Sequence, residues 1–268
     1  MQIPILYTIG FISSVYIWKI IKRFFKMGNN AKLKTLTVAI SVLLMILNQR
    51  YIIGNCSSII QCLSINISMN SILYPLICNT FLFLGPIYNF ILDKYLRNER
   101  LVDKFSQNPL RDDRMLIRIV LAPLLEEITF RVLFYQNFNN LNEYCLTSSI
   151  LFSLAHSHKF FSFFKKERKY RTEYYRQSFQ FQSFKRSFIK AFLRTLFVLM
   201  FTFIFGFYAA SVFLKTKSLI SVILLHSYCN YLGFPNLSLI FSNTKTNIIK
   251  ILSVYFVGIL FFYYFITI

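Results

Sequence analysis

The stretch Leu121-Ala122-Pro123-Leu124-Leu125-Glu126-Glu127-Ile128-Thr129-Phe130-Arg131 decides how this chain folds. It lies inside an apolar run, 115–138, that is long enough to cross a bilayer, yet it carries two adjacent glutamates. The chain has ten acidic residues in 268, and two of them stand side by side in what reads as hydrocarbon. On insertion scales each charged carboxylate at a helix centre costs roughly 2.5–3.5 kcal/mol. Such a pair persists only where neighbours offset that cost, so it is a functional-site candidate by default.

The rest of the chain fits a membrane setting. It is 56% hydrophobic and 19% aromatic, and only 15% charged, against about 25% charged in a soluble domain. Apolar runs near the roughly 20 residues that a span requires cover 3–21, 33–53, 71–92, 115–138, 144–161, 188–214, 218–234 and 247–268. The expected fold is therefore all-α, a polytopic transmembrane helical bundle of about eight helices. We read 1–268 as a single integral membrane domain, with a motif-bearing core at about 115–235 and N-terminal transmembrane helices in 1–114. The first run has its basic residues after it and reads as a retained anchor, not a cleaved leader.

Charge falls in alternate loops. Segments 19–34 and 94–114 carry six Lys/Arg each, and the segment from Lys159 to Lys190 carries ten, whereas 54–70 carries no charge at all. Positive-inside then places the basic loops in the cytosol and the N-terminus in the lumen or outside. The uncharged loop holds two glycosylation sequons, Asn55-Cys56-Ser57 and Asn66-Ile67-Ser68, which agree with that side. The net charge of +20 is explained by topology and anionic-lipid contact, so membrane lipid is expected as a partner and nucleic acid is not. Within 159–190, Phe179, Phe181, Phe184 and Phe188 interleave with Lys and Arg, as in an amphipathic segment lying on anionic lipid. The five cysteines lack CxxC spacing. Cys56 and Cys62 would pair only in an oxidising lumen and are read as ordinary small residues.

Three polar groups punctuate the apolar runs. Glu127 and Arg131 are four apart, so they share a helical face and can pair, leaving Glu126 as the free carboxylate. Pro123 cannot donate to the carbonyl four residues back, so a kink or widened turn is expected beside Glu126. Phe152 and His156 share a second face, with His158 following. His226 and Asn230 share a third. Under the charge-derived topology all three groups lie in the cytosolic half. These residue types suit hydrolysis. A carboxylate shielded from water can act as a general base on a bound water, and a histidine can orient that water or pass a proton to a leaving amine. A second histidine and an amide can donate to a developing oxyanion. Glu126, His156 and His226 also make a candidate zinc set with an open position, so a Zn2+ cofactor stays open at this point.

EExxxR, FxxxH and HxxxN in that order resemble the motifs of the CPBP intramembrane proteases. Gly206-Phe207-Tyr208-Ala209-Ala210, Phe213-Leu214-Lys215-Thr216 and His226-Ser227-Tyr228-Cys229-Asn230-Tyr231-Leu232-Gly233-Phe234-Pro235 are similar to the eukaryotic type II CaaX prenyl protease branch. The resemblance covers about 118–235, and the first hundred residues match in hydropathy only. It implies an eight-helix enzyme of the endoplasmic-reticulum membrane whose site opens to the cytosol. Such an enzyme removes the last three residues of prenylated CaaX proteins such as Ras-like and Rho-like GTPases. Carried over by motif, Glu126 activates water with His156 as its partner, His226 and Asn230 stabilise the transition state, and Glu127 with Arg131 supports the site. The motifs do not settle metal dependence. The HExxH motif of the other CaaX protease type is absent from this chain. The rival readings are a CPBP peptidase with a non-prenylated substrate and a non-catalytic membrane scaffold or transporter, in which the Glu–Arg pair would clasp helices.

Overall fold

The computed structural model describes residues 2–24, 31–54, 58, 62–96, 113–175, 181–233 and 245–267. The protein is all-α, and each of the eight apolar runs is helical over most of its described length. In chain order, α1 is Gln2–Phe24, and α2 is Ala31–Leu47 with a π turn, Asn48–Ile53, after it. α3 is Met69–Leu82 and α4 is Leu84–Leu96. The decisive stretch is a broken helix: α5, Asp113–Leu116, a π turn at Ile117–Leu121, α6, Ala122–Glu127, and a second π turn at Ile128–Leu133. α7 is Leu141–Ala155, capped by a 3-10 turn, His156–His158. α8 is Lys159–Tyr175, α9 Phe181–Thr216, α10 Leu219–Leu232 and α11 Lys245–Thr267.

Among the described residues two helices, Phe184–Thr216 and Asn247–Thr267, are long and apolar enough to cross a membrane. α3 and α4, bent by 57° at their junction, add a third if the pair is one span. Gln2–Ile17, Thr35–Tyr51 and Leu219–Leu232 are shorter apolar helices. The chain divides into two compact units, one of residues 1–27, 37–62 and 128–210, the other of 28–36, 63–127 and 211–268.

The first unit is built on rings. Phe130 meets Phe11 edge-on at 5.4 Å, Phe134 at 5.3 Å and Phe152 at 5.3 Å. Such pairs favour T-shaped contact because a ring's positive edge meets its neighbour's negative face. Polar side chains tie α1 to α2: Ser41 donates to the Gly10 carbonyl at 3.3 Å and Thr37 to that of Ser14 at 3.2 Å. At the end of α2, Tyr7 donates to Gln49 at 3.0 Å and accepts from Asn48 at 2.9 Å. Gly206 lets α9 close on α7, because a Cβ there would stand 3.1 Å from the Ser149 Cα.

The segment 159–190 is helical over most of its length. α8 presents Phe160, Phe164, Glu167 and Arg171 on one stripe, the 3–4 spacing of a packed helical face. Phe160 packs on Phe188 at 5.3 Å and Phe164 on Phe184 at 5.2 Å. Glu167 is buried in an ion pair with Arg194. Lys165, Lys166 and Lys169 face outward and are exposed. Phe179 lies outside the described residues.

In the second unit α10 lies against α3. Ser68 caps α3 through a reciprocal box with Ser71, at 3.1 and 2.9 Å. Asn79 donates to the Leu225 carbonyl at 3.0 Å. Pro75 sits inside α3 and removes the donor for the carbonyl four residues back, which is that of Ser71. That carbonyl accepts instead from the Ser221 hydroxyl of α10 at 2.6 Å. α11 stacks Phe261 and Phe265 on Phe81 at 5.0 and 5.3 Å.

The cysteine expectation requires correction. Cys62 is disulfide-bonded and so is not an ordinary small residue, while Cys78, Cys145 and Cys229 form no disulfide. Cys56 and the first sequon, at Asn55, lie outside the described residues. The close approach at Gly206 yields a prediction. Gly206→Val should overpack the α7–α9 contact and cost about 1–3 kcal/mol, seen as a lower melting temperature in detergent. An unchanged melting temperature would mean that the two helices have room to spare.

Candidate active site

The glutamates end α6, and the widened turn expected near Pro123 is the π turn Ile117–Leu121 just before it. Regular α pitch would ask the residue at 123 to donate to Ile119, which proline cannot do. In the wide turn the Ala122 N–H reaches back five residues to the Ile117 carbonyl. The next carbonyl, that of Arg118, would need Pro123 as its donor at the same pitch. It accepts from the Asn230 side-chain amide of α10 at 3.0 Å.

His226, one helical turn before Asn230 on the same face of α10, faces both glutamates. Its Nδ1 bonds the Glu127 Oε1 at 2.7 Å, and its Nε2 stands 3.9 Å from the Glu126 Oε2. The first contact is a short charge-assisted hydrogen bond. The second is too long for a direct hydrogen bond, but two polar atoms at that separation can share one water. Burial separates the acids: the Glu127 side chain is fully enclosed, while that of Glu126 is 19% exposed. Glu127 thus fixes the imidazole, leaving Nε2 to face Glu126, the arrangement by which a carboxylate sets a histidine tautomer.

In the other unit, His156 begins the 3-10 turn that ends α7. Its Nδ1 lies 2.9 Å from the Phe152 carbonyl; as the donor to that oxygen it leaves Nε2 as the acceptor of the neutral ring. The Phe152 ring lies beneath the Arg131 guanidinium, whose carbon is 4.7 Å from the ring centre. Arg131 also donates to Ser148 at 3.2 Å, and Ser148 donates onward to the Phe130 carbonyl at 2.6 Å. FxxxH therefore carries two tasks, in that Phe152 receives a buried cation on its face and its carbonyl orients His156. The ring of His158 is anchored separately, with Nδ1 2.8 Å from the Ala155 carbonyl.

The structure thus brings Glu126, Glu127, His226 and Asn230 together in one unit and Arg131 and His156 together around Phe152 in the other. Sequence reasoning missed Ser148, Ser221 and the Arg118 carbonyl. A signal for the last two was available, because each proline within an apolar helix implies a carbonyl that some other side chain must serve. Gly233 ends α10 at φ 73° and ψ −165°, a conformation reserved almost wholly for glycine. Phe234 and Pro235 lie outside the described residues. Among the described residues no three His, Cys, Asp or Glu side chains gather as a group able to hold a metal ion.

Residues 114–232 match the family model described as type II CAAX prenyl endopeptidase Rce1-like. Over that segment the chain is similar to the Rce1-like CPBP proteases. Its relatives include CAAX prenyl protease 2 of Homo sapiens, 31% identical over 61% of this chain and 47% of the relative. The probable CAAX prenyl protease 2 of Schizosaccharomyces pombe is 28% identical over 58% and 52% respectively. CAAX prenyl protease 2 of Arabidopsis thaliana is 32% identical over 43% and 33%. The chain spans about half the length of the first two of these curated relatives. No solved structure matches it.

The Glu127–His226 bond is directly testable, since the chain has only three histidines and their ring nitrogens can be assigned. Glu127→Ala should release His226 from a single tautomer in nitrogen NMR of imidazole-labelled protein, whereas Glu127→Gln, which keeps an acceptor oxygen, should hold it. A single unchanged tautomer in Glu127→Ala would show that the ring is oriented by something else.

Proposed function

We propose that this chain is a glutamate-dependent intramembrane endoprotease that removes the C-terminal aaX tripeptide from prenylated CaaX proteins. The observation that carries the reading is the placement of Glu126 and the His226 Nε2 3.9 Å apart, with Glu127 holding the imidazole from behind. A water shared by those two atoms would lose a proton to Glu126 as its oxygen attacks the carbonyl of the bond after the prenylated cysteine. His226, held by Glu127, orients that water through Nε2 and so stabilises the transition state. The proton that Glu126 takes from the water goes on to the departing amine of the tripeptide, with His156, its Nδ1 held by the Phe152 carbonyl, as the partner that relays it. Arg131 supports the site through Phe152.

The substrate assignment follows the printed names of the relatives and a physical match. A prenyl chain is apolar and enters from the bilayer, while the scissile bond adjoins the modified cysteine at its end. A membrane-embedded site that opens to the cytosol brings both to one place. We place the protein in the endoplasmic-reticulum membrane, with Ras-like and Rho-like GTPases as the substrate class. The exposed lysines of α8, on the side assigned to the cytosol, suit an anionic leaflet.

The test is release of the aaX tripeptide from a farnesylated CaaX peptide by purified protein, with and without a chelator. Glu126→Gln should abolish release while the melting temperature stays near wild type, because the amide keeps the shape but cannot take the proton. His156→Ala should also be inactive. Full turnover by Glu126→Gln would remove it as the base. No release by folded wild type, across several aaX tails and both prenyl lengths, would favour a peptidase of other substrates or a scaffold.

A further inference from the structure

Two prolines interrupt helices of the second unit, and both freed carbonyls are answered by one helix. Pro75 frees the Ser71 carbonyl, which accepts from Ser221 of α10. At Pro123 the vacancy falls on Arg118, because the Ala122 N–H is taken by Ile117. That carbonyl accepts from Asn230 of α10. A freed carbonyl has lost its intrahelical donor, so a broken helix holds its shape best where a neighbour re-satisfies the backbone. Ser221 and Asn230 lie near opposite ends of α10 and perform the same service.

From this geometry we infer that Asn230 is a positioning residue, the substitute for the N–H that Pro123 lacks. It pins the wide turn Ile117–Leu121 and so sets the direction in which α6 presents Glu126. Asn230 and His226 share a face of α10, so one helix both fixes the break before Glu126 and supplies the imidazole facing it. The alternative is that the amide donates directly to the reacting oxyanion. The inference deepens the proteolytic reading and rests on it where activity is the readout; the stability readout does not depend on it.

The two roles separate in a mutant cycle of wild type, Asn230→Ala, Pro123→Ala and the double variant in the full chain. Alanine at 123 restores an N–H that can serve the Arg118 carbonyl. A positioning role predicts that Asn230→Ala lowers kcat by about 10²-fold in the wild-type background, the scale of a misplaced reacting group, with KM little changed. In the Pro123→Ala background the same substitution should change kcat by no more than about 3-fold, the scatter expected of independent sites. Melting temperature should follow the same pattern, with a fall in Asn230→Ala and little further fall when it is added to Pro123→Ala. That arm decides the matter if Pro123→Ala alone is inactive, or if no variant cleaves a prenylated peptide. An equal loss from Asn230→Ala in both backgrounds, in kcat or in melting temperature, would overturn the inference and, in kcat, place Asn230 at the reacting atoms.

Discussion

Hydrocarbon offers a polar group no partner, and much of this structure is organised by that constraint. A regular helix satisfies its own backbone, but this chain breaks a helix beside the glutamates proposed to carry the chemistry. Each break frees a carbonyl, and each freed carbonyl must find a side chain. α10 supplies two of them, Ser221 and Asn230, while accepting from Asn79 at its own Leu225 carbonyl. The helix is almost uniformly apolar in sequence, and its few polar positions fall where a neighbouring backbone or acid requires them. The same constraint governs Arg131, a fully enclosed cation held by the Ser148 hydroxyl and the face of Phe152.

Much of this was legible in the sequence, for reasons particular residues make plain. Glu126, Glu127 and His226 could be singled out because ionisable groups are costly in lipid and ten acids in 268 residues leave few to account for. The helical class followed from hydropathy, since apolar runs near span length are hard to place in water. The pitch at the site was not legible. The expectation of shared faces around Glu127 and Arg131 assumed 3.6 residues per turn, but a π turn begins at Ile128. Proline announced a fault near 123 without saying whether the helix would kink or widen. The packing within 159–190 was not legible either, because the stripe of Phe160, Phe164, Glu167 and Arg171 is masked in sequence by the lysines between them. Cys62 was misread because disulfide pairing depends on compartment and approach, neither of which spacing reveals.

Adjacent glutamates in one helix would be expected to behave alike, and their surroundings make them unlike. Successive α-helical positions point about 100° apart, so one carboxylate can be enclosed while its neighbour meets a cleft. Glu127 is fully enclosed and spends an oxygen on the His226 Nδ1, whereas Glu126 keeps partial exposure and stands 3.9 Å from Nε2. A single imidazole therefore separates a carboxylate that orients from one positioned to take a proton. Shifting the helix by one residue would exchange the two and bury the base against the ring's anchored nitrogen. In the proposed mechanism the register of α6 is thus part of the chemistry, and the wide turn before Pro123 would set that register. A residue holding that turn would then act on proton transfer without touching the proton, which is why the backbone of Arg118 belongs in that proposal.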